Sequence, residues 1–279
     1  MTGASHARPV RIIRPSRGLL DLGLDEVWQH RELLYRLVWR DLKVRYSQAA
    51  LGTAWAIIQP LIAVAIFTVV FGVFARLPSD GAPYPLFAFA AILPWTYFSE
   101  ATRRSAFGIV GDTDLVRKIY FPRLLIPLAN IASPLLDFFV TFLVFLVVLA
   151  WHGVSPGANL LLVPVFLLMA AALALALGLW LGPVNVRFRD VMHTLPFLLQ
   201  IWMYATPIVY PLSMVPERYR MLYSLNPTVG LIEGFRWALL GTGRLDLPAL
   251  AISAVTITVL LVTGVVWFKR AERTFADVI

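Results

Sequence analysis

The pattern of apolar and polar positions first predicts an amphipathic helix over residues 25–50. With a period of 3.6 residues, one face gathers apolar side chains and the opposite face gathers basic ones. The apolar face comprises Tyr35, Val38, Trp39, Leu42 and Tyr46, and the basic face comprises Arg36, Arg40 and Lys43. A helix of this kind lies in the membrane interface, with its apolar side towards the lipid. We therefore predict an N-terminal interface helix.

From Leu51 to Ala75 the pattern changes to an apolar run without a charged residue. About 20 apolar residues cross the hydrocarbon core as a helix, so this run predicts a first transmembrane span. Five similar stretches follow, and the six predicted spans are about 51–75, 86–109, 124–151, 159–184, 192–211 and 248–268. The expected fold is an all-α integral membrane domain over residues 51–269.

Three further segments complete the expected organisation. Residues 1–24 and 270–279 are predicted to be tails on the cytoplasmic side. Between the fifth and sixth spans, residues 212–247 are interrupted by Pro216 and Pro227. Breaks of this kind predict short re-entrant or interfacial helices on the external side.

Composition and charge support a membrane protein and give it an orientation. Of the residues, 59% are hydrophobic and 14% are charged, whereas soluble domains average about 45–50% and about 25%. The net charge of +8 would suit nucleic acid, but the apolar spans argue against that partner. Of the 24 Lys and Arg residues, nine precede residue 51, five lie at 103–123, two at 187–189 and three after 268. These segments face one side when six spans are counted, so both termini are predicted to be cytoplasmic.

Several kinds of catalytic site are absent from the sequence. There is no cysteine, no HExxH zinc motif and no GxxxxGK[ST] phosphate-binding loop. Asp112 and Asp114 form a DxD pattern, which holds a metal–diphosphate in some sugar transferases. Asp114 is equally well placed to cap a short helix over Leu115–Tyr120. A membrane-embedded glycosyl- or phosphotransferase therefore stays open as an alternative.

Charged residues cluster near the predicted cytoplasmic face. One interpretation is that they set topology and contact lipid phosphates; the other is a docking surface for a soluble partner. The residues of this second interpretation are Arg36, Arg40, Asp41, Lys43, Arg45, Asp112, Asp114, Arg117 and Lys118.

Four carboxylate or guanidinium side chains lie inside predicted spans, which makes them functional candidates. Glu100, Arg103 and Arg104 end the second span, and Asp137 follows Leu124 by 13 residues, or about 20 Å of helix. We expect Asp137 to pair with Arg103 or Arg104, as a structural contact or as part of a transport path.

Aromatic residues suggest a surface for sugars. The groups around Trp95 and Tyr97 and around Trp202 and Tyr204 present apolar faces with polar tips, which suit sugar rings. Membrane-interface belts explain most of the other aromatics.

Four segments in order resemble one family. They are LVWRDLKVRYSQAALGTAWAIIQPL (37–61), LVRKIYFPRLLIPLA (115–129), NVRFRDVMHTLPFLLQIWMYATPIVYP (185–211) and LNPTVGLIEGFRWALLG (225–241). Together they resemble the ABC-2 type permeases of polysaccharide exporters, which carry O-antigen, teichoic acid and related lipid-linked glycans. The NVRFRDV and NP…E..R motifs favour cargo of the O-antigen or teichoic-acid type over that of capsule exporters.

The resemblance implies a six-helix permease of the bacterial inner membrane that pairs with a second copy of itself. Each copy would bind a separate ATPase, which carries ATP and Mg, and the pair would export an undecaprenyl-linked glycan. The ATPase would contact Glu26–Tyr46 and Asp112–Tyr120, so the docking residues above become coupling residues. The implied substrate path includes Trp55, Gln59, Trp95, Tyr97, Trp202 and Tyr204. An ABC-2 permease for a lipid or a drug is the nearest alternative.

Overall fold

The computed structural model describes residues 24–47, 54–118, 121–241, 245–272 and Phe275, and the regular secondary structure of this part of the chain is all helical, without a strand. The predicted N-terminal tail lies outside the described residues apart from Leu24, and so do residues 273–274 and 276–279 of the C-terminal tail. In chain order the α-helices are α1 (Leu24–Gln29), α2 (Arg31–Ser47), α3 (Ala54–Phe67), α4 (Tyr84–Gly111), α5 (Thr113–Lys118), α6 (Leu125–Ala132), α7 (Leu135–Trp151), α8 (Val163–Arg187), α9 (Val191–Tyr204), α10 (Glu217–Tyr223), α11 (Pro227–Leu240) and α12 (Leu247–Glu272). A π-helix over Thr68–Phe74 extends α3, and 3-10 turns cover Ala158–Leu162 and Leu212–Met214.

Within the described residues, four helical segments are long and apolar enough to cross a membrane. They are Ala54–Phe74, Leu125–Trp151, Ala158–Arg187 and Leu247–Glu272. They coincide with the first, third, fourth and sixth predicted spans. The helix of the second predicted span, α4, has 28 residues and is long enough to cross a membrane. Its charged second half makes it more polar than the four segments above.

Helix α9 covers only part of the fifth predicted span, 192–211. Helix α9 ends at Tyr204 after 14 residues, about 21 Å of helix. Turns occupy residues 205–210 instead. Pro207 and Pro211 explain this end, because proline lacks the N–H of a helical residue and disfavours helical backbone in the residue before it.

The third predicted span, 124–151, consists of two helices. α6 ends at Ala132 and α7 begins at Leu135, with turn residues Ser133 and Pro134 between them. Pro134 removes the backbone donor that would continue the first helix, and its ring crowds the preceding turn. Asp137 consequently lies in the first turn of α7.

Helix α4 is the centre of the bundle. Six consecutive residues, Leu86 to Ala91, are 0% exposed, as expected for a helix that is apolar on every side. Helices α3, α6, α7, α8 and α11 pack around it. The approach of α8 depends on Gly178, where an added Cβ would lie 1.9 Å from Ser105 Oγ; small residues of this kind allow close helix packing in membranes.

Candidate functional site

Helix α2 has a side that packs against the helical bundle. The division of the sequence into an apolar and a basic face did not predict this side. Leu37 is 5% exposed and joins the apolar cluster formed by α6 and the end of α12. Tyr35 and Trp39 of the predicted apolar face are 68% and 59% exposed. Tyr35 and Trp39 therefore stay available for contact with lipid, because the neighbouring leucines of α2 pack against the bundle in their place.

Arg40 joins α2 to the segment that follows α4. Its guanidinium lies 2.9 Å from a carboxylate oxygen of Asp112 and 2.9 Å from Asp41 Oδ1. The hydrogen bond with Asp112, partly opposed by burial, raises the pKa of Arg40 above its ordinary value. The two segments expected to dock the partner are thus held together by an ion pair.

The remaining predicted docking residues divide into exposed and enclosed groups. Arg36, Lys43 and Arg117 are exposed. Lys118 lies 3.2 Å from Asp114, with both side chains largely exposed, so this pair contributes little to stability. Arg45 differs from them, because it turns into the bundle.

The DxD pattern of Asp112 and Asp114 is divided between two ion pairs. Asp112 pairs with Arg40 and Asp114 pairs with Lys118, so each carboxylate already has a cation. The predicted cap is also wrong. Helix α5 begins at Thr113, which places Asp114 inside its first turn, where an acidic side chain is favoured by the helix dipole.

Glu100 forms ion pairs with two arginines of its own helix, α4. Arg103 donates to Glu100 Oε2 at 2.7 Å and Arg104 donates to Oε1 at 2.6 Å. The spacings of three and four residues bring these side chains to one face of α4. The second half of α4 therefore exposes charges that satisfy one another.

Asp137 pairs with the interface helix, so the expected partner was wrong. Its carboxylate accepts hydrogen bonds from Arg45 and Tyr46 of α2. The interruption between α6 and α7 brings the first turn of α7 to the end of α2, whereas Arg103 and Arg104 are engaged by Glu100. Arg45 also lies 3.6 Å from Glu100, so one cluster joins α2, α4 and α7.

A cavity of about 450 Å³ opens beside this cluster, between α2, α3, α4 and α7. Its charged lining residues are Arg45, Glu100, Arg103, Arg104 and Asp137. Its uncharged lining residues include Trp55, Gln59, Leu93, Tyr97 and Phe138. The cavity therefore combines all four predicted intramembrane polar residues with Trp55, Gln59 and Tyr97 of the predicted substrate path.

The other aromatic candidates lie apart from this cavity. Trp95 is 6% exposed and packs on Phe98, and Trp202 meets both rings edge-on at centroid distances of 6.5 and 5.5 Å. Trp202 also donates to Asn226 Oδ1 at 2.8 Å. Tyr204, at the end of α9, is 50% exposed. Within the chain, Trp95 and Trp202 act as packing residues, and Tyr204 faces outward.

The NP…E..R motif builds the support for the end of α9. Asn226 caps α11 by accepting from Thr228 N at 3.1 Å. Glu233 lies 2.5 Å from the buried Arg236. The Arg236 guanidinium donates hydrogen bonds to the carbonyls of Pro207 and Ile208. It also stacks on Phe87, 3.7 Å from the ring centre. The carbonyls are those of the turns that replace the end of the predicted fifth span.

Two contributions to these sites were not predicted from the sequence. Tyr46 was assigned to the apolar face, although its hydroxyl binds Asp137. Glu233 and Arg236 were named only as part of the NP…E..R motif. Their opposite charges, three residues apart in an apolar helix, were the signal that could have predicted the ion pair.

The helices and the charged cluster define a multi-pass helical membrane protein, with an interface helix ion-paired to two of its core helices. Its family follows from its sequence. The chain belongs to the ABC-2 type transporter family, whose profile matches residues 32–240, and the resemblance based on the four motifs is thereby confirmed.

Curated relatives align over nearly their whole length. The O-antigen export system permease protein RfbA of Myxococcus xanthus is 32% identical over 258 residues, which cover 90% of this chain and 97% of the relative. A protein of the same name from Klebsiella pneumoniae is 27% identical over 249 residues, or 89% and 95% of the two chains. The polysialic acid transport protein KpsM of Escherichia coli is 24% identical over 239 residues, or 84% and 91%.

Proposed function

We propose that this chain is the membrane-spanning subunit of an ATP-driven exporter of lipid-linked polysaccharide, of the O-antigen or teichoic-acid type. The observation that carries the proposal is the 32% identity with an O-antigen export permease across 97% of that protein's length. The chain has no phosphate-binding loop. ATP and Mg would therefore act on a separate ATPase subunit, and this chain would be a transport subunit without enzymatic activity.

The proposed topology has six spans in the bacterial inner membrane with both termini in the cytoplasm. The four long apolar helical segments would form the first, third, fourth and sixth spans, and α4 would form the second span. Helix α9 would form most of the fifth span, and residues 205–211 would complete it. α10 and α11 would form the external re-entrant region. The charge asymmetry of the loops supports this orientation.

The ATPase would dock on the surface formed by α2 and α5. Arg36, Lys43 and Arg117 are exposed there, so they are free to meet acidic groups of a partner. The ion pair of Arg40 and Asp112 would make the two segments move as one unit. A displacement of the ATPase could then reach α4 and α7 through Arg45.

A second copy of the chain would pack near the outer faces of α3 and α9. These faces carry exposed apolar side chains, among them Trp55, Ile62, Phe197, Ile201 and Tyr204. Some would contact the partner copy, and Trp55 and Tyr204 would line the path of an undecaprenyl-linked glycan. Aromatic rings suit this cargo because they contact the apolar faces of sugars.

Two measurements test the proposal together. In the first, the tagged full-length chain is purified in mild detergent, and we expect a stoichiometric ATPase that bears its own phosphate loop. In the second, deletion of the gene should remove long glycan from the cell surface, and the intact gene should restore it.

The outcomes separate the exporter from its alternatives. An ATPase partner with unchanged surface glycan, accompanied by altered drug or lipid sensitivity, would favour a drug or lipid permease. Purification without an ATPase, combined with sugar or phosphate transfer that Asp112→Asn and Asp114→Asn abolish, would favour the transferase.

A further inference from the structure

The cavity between α2, α3, α4 and α7 contains more cationic than anionic side chains. Arg45, Arg103 and Arg104 line it, against the carboxylates of Glu100 and Asp137. The cavity therefore carries one formal positive charge at the junction of the interface helix with the bundle. An excess charge that is partly removed from water is stabilised by a counter-ion.

Hydrogen-bond donors remain available on two of these arginines. Among the described residues, none accepts a hydrogen bond from Arg45 Nη2, which is buried and lies 3.6 Å from Glu100 Oε1. Arg104 donates to Glu100 through Nε, and none of the described residues accepts from its terminal nitrogens. Burial and the nearby charge of Arg104 lower the pKa of Arg45. An anion between the two guanidinium groups would satisfy these donors and reduce their repulsion.

Apolar side chains also line the cavity. Trp55, Pro60, Leu93 and Phe138 are among them, together with the polar residues Gln59, Thr96 and Thr141. The outward surfaces of α3 and α7 are apolar and exposed, as at Ile66, Phe139 and Leu143. A ligand that contacts both the charged and the apolar lining needs a charged head joined to an apolar chain. The volume of about 450 Å³ lies in the usual range for small-molecule sites.

We propose that this cavity binds the phosphate headgroup of a membrane amphiphile. The phosphate lies between Arg45 and Arg104, and the chain leaves along α3 and α7. Guanidinium groups bind phosphate through paired N–H donors, which favours phosphate over a less symmetrical anion. The ligand links α2 to α4 and so couples the docking surface to the core. Two sources share this chemistry: an anionic phospholipid of the bilayer, and the lipid diphosphate of the cargo. The second source rests on the proposed function.

The test measures lipid binding to the full-length chain in detergent by native mass spectrometry. The probes are phosphatidylglycerol, a polyprenyl diphosphate, diacylglycerol and inorganic pyrophosphate. We expect one phosphate-bearing lipid per chain, bound at least tenfold more tightly than diacylglycerol or pyrophosphate. Equal binding of diacylglycerol would overturn the headgroup assignment, and equal binding of pyrophosphate would overturn the role of the chain.

Variants locate the binding. Arg104→Gln should weaken lipid binding at least tenfold, whereas Arg104→Lys should retain most of it. Thr96→Phe keeps every charge and fills the cavity from an exposed position that lines it, so it should weaken binding even if Arg104→Gln misfolds. Arg218→Gln, at an exposed arginine of α10, is the matched control. Unchanged binding in Thr96→Phe and Arg104→Gln would overturn the site.

The same measurement distinguishes the two lipid sources. A polyprenyl diphosphate that binds at least tenfold more tightly than phosphatidylglycerol identifies a cargo site, and equal affinities identify a site for bilayer phospholipid. Binding is measured on the purified chain, independently of export. A chain that binds phosphate lipids but supports no surface glycan would therefore contradict the proposed function and leave this site in place.

Discussion

Arg40 in the interface helix lies 2.9 Å from Asp112, 72 residues further along the chain. This pair connects α2 with the end of the most buried helix of the bundle. It converts two separate charged segments of the sequence into one surface. A partner bound to either segment would therefore act on both.

We predict that Arg40→Gln and Asp112→Asn weaken the same contact. The pair is partly exposed, so each change should cost roughly 0.5–1 kcal/mol, and the double variant should cost little more than either single one. Thermal unfolding in detergent and the yield of co-purified ATPase measure the effect. The control for unfolding alone is Asp114→Asn, because its pair with Lys118 is exposed and should contribute almost nothing to stability. Additive losses in the double variant would show that the two residues act separately.

Loss of the Asp137 carboxylate should destabilise the junction of α2 and α7. Asp137→Asn keeps the shape but leaves Arg45 without its charged acceptor, which should cost roughly 1–3 kcal/mol. Asp190→Asn is the matched control, because Asp190 is exposed and its side chain caps no helix. Equal unfolding temperatures for Asp137→Asn and the unmodified chain would contradict a structural role for this contact.

Trp202 and Tyr204 should give different phenotypes although they are two residues apart. Trp202→Ala removes a ring packed on Trp95 and Phe98, so it should lower both stability and export. Tyr204→Ala changes a half-exposed ring and should lower export while stability is unchanged. Unfolding temperature and surface glycan, measured in parallel, separate the two effects. Wild-type glycan levels in a stable Tyr204→Ala chain would remove Tyr204 from the substrate path.

The ion pair of Glu233 and Arg236 predicts a non-additive pair of variants. Arg236→Met leaves Glu233 buried without its cation and frees the carbonyls of Pro207 and Ile208, which should cost roughly 3–5 kcal/mol. Glu233→Gln with Arg236→Met removes both charges and should recover part of that loss. Folded yield and unfolding temperature report the difference. A double variant less stable than Arg236→Met would contradict the pairing.

Much of the fold follows from local pattern. Apolar runs of spanning length identify α3, α8 and α12 because a helix in lipid must satisfy its own backbone and cover itself with apolar side chains. Helices α9 and α6–α7 were less accurately predicted. The sequence stays apolar through Pro207 and Pro134, although the helical backbone is interrupted there. Average hydrophobicity over a stretch of residues does not show that proline lacks an N–H donor.

The sequence by itself determined that the chain is a helical membrane protein, that most of its basic residues lie outside the apolar runs, and that its motifs are those of an ABC-2 permease. Tertiary structure decided which charges meet. Asp137 pairs with Arg45 and Tyr46, and Arg40 pairs with Asp112. The physical reason is that ion pairing depends on distances of a few ångströms between side chains. Those distances are set by how α2, α4 and α7 pack, and no spacing along the chain contains them.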